Sequence, residues 1–218
     1  MRAPDRIQIY LILLAIASGV VDAASYLGLG RVFTANMTGN TVLLGVAVAT
    51  GSGGDAARAA AALGGFCLGV ALGTALIPST ADAPWPRVAA RPLALALLAL
   101  AALLAGWAAA GVASLRFGLI ATSAIAMGAQ SAAVRATRTG GVATTYVTGT
   151  LANAIGRLVN RARPGVREDE SPGLAGGVWF VYGVAALAGA LAEKAWHAWA
   201  VLPAIVILGV VTAAAARR

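Results

Sequence analysis

Charge is what this chain lacks most. Only 11% of its 218 residues are charged, against about 25% in a soluble domain, so it cannot clothe a water-facing surface. Histidine and cysteine are nearly absent, at one each, His197 and Cys67. A lone cysteine excludes an intramolecular disulfide and any cysteine-rich metal site. His197 follows Glu193 by four residues, beside Trp196 and Trp199, which reads as a helical pair in an interfacial aromatic belt. The chain has no H-E-x-x-H, no P-loop and no G-x-S-x-G elbow. A metalloenzyme would lack ligands, and an aspartyl mechanism would need a second acid beside Asp22 inside a span. Neither an enzyme activity nor a cofactor or metal is expected.

Apolar residues are what the chain has. They make up 60% of it, mean hydropathy is +0.83, and they fall in long runs, so the helices are apolar nearly all round. This is the composition of an all-α integral membrane protein whose first partner is the lipid bilayer. Six segments, 7–27, 59–78, 92–115, 117–134, 172–192 and 195–216, reach the roughly 20 residues that a crossing needs. Two shorter, more polar segments, 36–51 and 144–156, suit half-helices or re-entrant elements. The net charge of +8 comes from arginines between the apolar runs, where positive-inside topology explains them. No basic stripe is interleaved with aromatics, so no nucleic-acid partner is expected. The first run follows two arginines like a signal peptide, but it is long and carries Asp22, and we read it as a retained span.

An internal duplication organises the chain. Ala15, Gly19, Asp22 and Ala23 match Ala124, Gly128, Ser131 and Ala132, 109 positions on. After each comes a Thr-Gly break, Thr38-Gly39 and Thr148-Gly149, one position further apart. The repeats are 1–115 and 116–218, one integrated membrane domain. With eight spans they would be parallel; with six spans plus two half-helices the second is inverted. Six spans with both termini cytoplasmic put Arg2, Arg6, Arg87, Arg91, Arg135, Arg138, Arg157, Arg161, Arg163, Arg167, Arg217 and Arg218 inside, leaving Arg31, Arg58, Arg116 and Lys194 outside. Eight spans weaken that split to ten against six, so six is favoured.

The candidate site lies at the breaks. Asp22 sits roughly two-thirds along the first span, where an ionised carboxylate costs about 2.5 kcal/mol or more and usually faces a cavity or partner. It is a candidate proton- or cation-binding group, or the orienter of a polar network; at an interface, water or Arg31 would satisfy it. Asn36, Thr38, Asn40 and Thr145, Thr148 supply amides and hydroxyls around Gly39 and Gly149. Helices starting there would aim free N–H groups into a cavity, or the same residues would serve only as caps. Gln130 and Ser131 occupy the place of Val21 and Asp22 in the second repeat. The small-residue ridges at Ala15, Gly19, Ala23 and at Ala124, Gly128, Ala132 suggest that the first and fourth spans cross there. Gly65, Gly69 and Gly73 form a third packing ridge.

Gly19-Val20-Val21-Asp22-Ala23, Phe33 through Asn40, Gly128-Ala129-Gln130-Ser131-Ala132 and Thr144 through Leu151 resemble the YoaK-type family of bacterial multi-pass membrane proteins. That family has Gln-Asn where this chain has Gln130-Ser131. The resemblance implies about six spans in a bacterial plasma membrane, and no substrate. The expected function is a small-solute or ion permease whose two breaks bound a polar site, with Asp22 carrying the coupling charge; so small a unit suggests a homodimer. The alternative is a non-transporting accessory, sensor or assembly protein whose polar core only fixes helix register. A wet cavity at the breaks speaks for the first and a dry one for the second.

Overall fold

The computed structural model describes residues 3–78, 87–137, 147–161 and 172–217, and among them there is no strand. Seven α-helices form: α1 Ala3–Ser25, α2 Met37–Ala49, α3 Gly53–Ala75, α4 Ala90–Arg135, α5 Val147–Arg161, α6 Pro172–Trp196 and α7 Leu202–Ala216. A π-turn, Tyr26–Gly30, extends α1, and a 3-10 turn, His197–Val201, joins α6 to α7.

Four apolar stretches are long enough to cross a bilayer, and two of them, Arg87–Arg135 at 49 residues and Gly173–Ala216 at 44, are about twice the needed length. Each is broken near its middle. Gly111 in α4 has φ 70° and ψ 178°, a conformation essentially reserved for glycine. A Cβ built on Gly106 would lie 3.3 Å from the Leu119 side chain, whereas thirteen residues of straight helix span about 20 Å. The chain therefore doubles back at Gly111, and α4 is a hairpin with arms 90–110 and 112–135. The second stretch breaks at His197, whose φ is 48°.

α1 is the most enclosed of the four stretches, with Leu11, Leu14, Ala17, Val21 and Ala24 all fully or almost fully buried. The outer helices do the opposite. Val42 and Val46 of α2, Phe180, Val184, Leu187 and Leu191 of α6, and Val206 and Val210 of α7 are each more than 50% exposed. Spaced three or four residues apart, they make continuous apolar stripes that water would not tolerate and hydrocarbon would. The chain is a membrane protein with its polar groups turned inward.

Helix pairing is set by glycine. A Cβ at Gly19 would stand 2.4 Å from the Tyr182 carbonyl oxygen and 3.1 Å from the Ala186 nitrogen. At Gly128 it would stand 2.3 Å from the Phe66 oxygen and 2.8 Å from the Val70 nitrogen. A Cβ at Gly189 would stand 2.8 Å from Val20 Cα, and one at Gly73 would stand 3.0 Å from Ala129 Cα. Backbones touch, so α1 packs parallel to α6, and α3 parallel to the 112–135 arm of α4. This corrects the expected crossing of the first and fourth spans at their ridges. Both ridges are packing faces, but each takes a helix from the other half of the chain, because spacing defines a face and not its partner. The Gly65, Gly69 and Gly73 ridge does pack, against that arm of α4.

α2 is too short, at 13 residues, to cross about 30 Å of hydrocarbon. Its first turn is anchored beside Asp22, while Thr50 at its far end and Asp55 in the first turn of α3 share a small cavity with Gly30 and Arg31. Arg58, early in α3, donates from Nε to the Gly30 carbonyl at 3.0 Å. The end of the π-turn and the start of α3 thus lie together, with α2 in the chain between them.

Candidate functional site

Asp22 occurs on α1 where Gly19 admits α6 on one side, so its carboxylate projects into a helix junction rather than toward lipid. The π-turn ends at Arg31 in the left-handed region, φ 60°, which reverses the chain. Residues 32–36 run back along α1 until their N–H groups face the acid. Thr34 and Ala35 donate backbone N–H bonds to Asp22 Oδ1 at 2.8 and 2.7 Å, and the Tyr182 hydroxyl donates to Oδ2 at 2.6 Å. Asp22 is 2% exposed. Three donors aimed at two oxygens, at the short distances of charge-assisted bonds, are what an ionised carboxylate needs in a dry interior. The Arg31 alternative is corrected: the acid is held by its own loop and by α6.

The loop is braced from both sides. Asn36 caps α2 by accepting from the Gly39 N–H at 3.3 Å. Asn40, fully buried, clamps Phe33 twice, accepting its N–H at 3.0 Å and donating to its carbonyl at 2.6 Å. A Cβ at Gly39 would sit 2.9 Å from the Phe33 ring, so this glycine lets the ring lie on the helix. Phe33 also stacks on Tyr26, with ring centroids 4.9 Å apart.

Two hydroxyl clusters flank the acid. Thr34 Oγ1 lies 3.0 Å from Ser25 Oγ and 2.9 Å from Ser123 Oγ, joining α1, the loop and α4. One turn earlier, Gln130 Nε2 donates to Ser18 Oγ at 2.8 Å and to the Leu14 carbonyl at 3.1 Å. Ser25 is joined to Ser123 through Thr34, while Leu14 and Ser18 meet Gln130, so α1 and this arm of α4 run antiparallel.

The expected site residues are therefore only partly gathered. Asp22, Asn36, Gly39 and Asn40 build one centre with the loop, and Gln130 belongs to the neighbouring hydroxyl cluster. Ser131 is half-buried on α4. Thr38 is exposed at the first turn of α2, and Thr148 is exposed and Gly149 half-buried at the first turn of α5. Thr145 lies outside the described residues. α2 packs on α3 and α5 on α6. Three described cavities, of about 410, 220 and 350 Å³, are lined by other residues than Asp22, and Asp22 itself is buried. Tyr182, Thr34, Ser25, Ser123 and Ser18 were not among the expected residues. Tyr182 sits in the run Trp179-Phe180-Val181-Tyr182, where it looks like one more bulky apolar group, and its hydroxyl was the only signal.

A family model described as "Protein of unknown function (DUF1275)" matches residues 10–214. A curated relative, the "UPF0700 transmembrane protein YoaK" of Bacillus subtilis (strain 168), is 42% identical over 85 residues. That alignment covers 39% of this chain and 38% of the relative, so the matched part spans well under half the length of either. No solved structure matches.

Proposed function

The chain belongs to the DUF1275 family, and from that premise we propose a small-solute or ion permease of the plasma membrane, built from two inverted three-span repeats. The observation that carries the proposal is the position of Asp22: its carboxylate ties the loop at Thr34 and Ala35, in the first half of the chain, to Tyr182 in the second. The pairing of the helices supports the duplication. Gly19 on Tyr182 and Ala186 corresponds to Gly128 on Phe66 and Val70, with α1 moved 109 positions and α6 moved back 116. The contact of Val20 with Gly189 maps by the same two shifts onto that of Ala129 with Gly73. The antiparallel run of α1 and the 112–135 arm supports the inverted sense.

Such a centre has two states available. An ionised Asp22 accepts from both halves and holds them closed. A proton or cation arriving at the carboxylate takes up a lone pair that Tyr182 or the loop now uses, and loosens one half from the other. Coupling between a charge and a repeat interface is the arrangement expected of a secondary transporter. The burial of Asp22 favours a second reading, a non-transporting membrane protein in which the same bonds only fix the fold.

A thermal-shift screen of the detergent-purified protein against ions and small metabolites separates the two, with Asp22→Asn alongside. A ligand present at a hundred times its Kd stabilises the folded state by about 2.7 kcal/mol. The permease reading expects at least one such shift in the wild type and its loss in a folded Asp22→Asn protein. A broad panel with no shift, and Asp22→Asn merely less stable, supports the structural reading instead.

A further inference from the structure

Positive-inside topology leaves few arginines at the end of the bundle where Gly30 lies, yet two converge there. Arg58 comes from α3 and Arg116 from just beyond the Gly111 turn of α4. A Cβ on Gly30 would lie 2.8 Å from Arg58 Cδ and 3.7 Å from Arg116 Cδ, so both stems pass over the same glycine, whose φ is 115°. Their guanidinium groups are differently placed. Arg58 is engaged, through Nε with the Gly30 carbonyl and through a terminal nitrogen with Asp55. Arg116 forms no ion pair among the described residues, and its Nε is buried without a hydrogen-bond partner. A buried donor of a permanently charged group is costly to leave unmade, and in a folded protein it points to a missing water or ion.

The space beside it is large enough for a ligand. Arg58, Arg116 and residues 113–118 line a cavity of about 410 Å³ that opens to the surface, within the range of small-molecule sites. With Asp55 offsetting Arg58, the uncompensated charge in this cavity is that of Arg116. We infer that the cavity between Arg58 and Arg116 is an oxyanion site, taking a phosphate group whose charge Arg116 balances. Arginine suits that role because its planar fork binds two oxygens of one phosphate. The phosphate could be free in solution or carried on a lipid headgroup, since the cavity lies at one end of a membrane bundle. The inference does not rest on the transport reading.

Calorimetric titration of the delipidated, detergent-purified protein with inorganic phosphate tests it. Native mass spectrometry of protein purified with phosphatidylglycerol runs in parallel. The variants are Arg116→Gln, Arg116→Lys and, as a control on a distant exposed arginine, Arg87→Gln. Saturable phosphate binding that weakens at least tenfold in R116Q, weakens less in R116K, which keeps the charge but not the fork, and is unchanged in R87Q establishes a free-anion site. Phosphatidylglycerol retained by wild type, R116K and R87Q but lost from R116Q, without phosphate binding, establishes a lipid-headgroup site. Neither ligand binding, or binding indifferent to R116Q, overturns the inference. Should R116Q not fold, the same loss in Arg58→Gln decides, because Arg58 lines the cavity from another helix.

Discussion

Asp22→Ala is expected to lower folding stability by about 4 kcal/mol, because it strands three buried donors at once, each costing roughly 1–3 kcal/mol when left unpaired. The Thr34 and Ala35 N–H groups and the Tyr182 hydroxyl all lose the one carboxylate they share. Relaxation of the loop recovers part of the sum. Asp22→Asn should cost only about 1–2 kcal/mol, since its amide oxygen can keep both loop bonds and its NH₂ can donate to the tyrosine oxygen. Tyr182→Phe should fall in the same range. Equilibrium unfolding in detergent, followed by tryptophan fluorescence, gives the order. An Asp22→Ala protein within 1 kcal/mol of wild type would mean that the loop is held by packing alone.

Gly128→Val should be at least as severe. A Cβ there meets the Phe66 carbonyl oxygen at 2.3 Å and the Gly69 Cα at 3.0 Å, and backbone atoms cannot swing aside as a flexible side chain would. α3 and the 112–135 arm must separate, forfeiting the close contact that drives helix association in lipid. A loss of about 4 kcal/mol or more is expected, above the roughly 1–3 kcal/mol usual for overpacking because the obstructing atoms are backbone. Gly19→Val should match it, since Gly19 meets the Tyr182 oxygen at 2.4 Å. Combination adds a sharper test. Gly69→Val and Gly128→Val disturb one crossing and should be clearly sub-additive together. Gly19→Val and Gly128→Val disturb separate crossings and should add to within about 0.5 kcal/mol. Equal losses and that pattern of coupling are readable from the same unfolding curves. Full additivity of Gly69 with Gly128 would contradict the shared crossing.

Length and oiliness made the helices legible, and the short α2 followed from the shorter, more polar segment 36–51. Asp22 stood out because a carboxylate in a long apolar run needs a reason. What holds it was not legible. Two donors are backbone N–H groups, which every residue carries, and the third belongs to a tyrosine 160 residues away. The reversal at Arg31 that delivers the loop depends on a positive φ at an arginine, a conformation its residue type argues against. The glycine ridges were readable as faces, yet their partners were not, because a small-residue stripe fits any equally small partner. Thr38 and Thr148 show the opposite error. Their residue types suit a polar site, but their helical positions turn them outward.

Everything proposed for Asp22 depends on α2 entering and leaving at one end, so that the two repeats are inverted. The decisive measurement is labelling of Gly53→Cys, in a Cys67→Ala background, by a membrane-impermeant thiol reagent on intact cells. Gly53 begins α3, is exposed and has nothing within 4 Å of an added Cβ, so the substitution should be silent; Cys67 is exposed and must be removed. With the amino terminus cytoplasmic and α2 re-entrant, residue 53 faces outward and should label without permeabilisation. Labelling only after the membrane is opened would place it inside, make α2 a crossing helix and the repeats parallel, and remove the basis of the account.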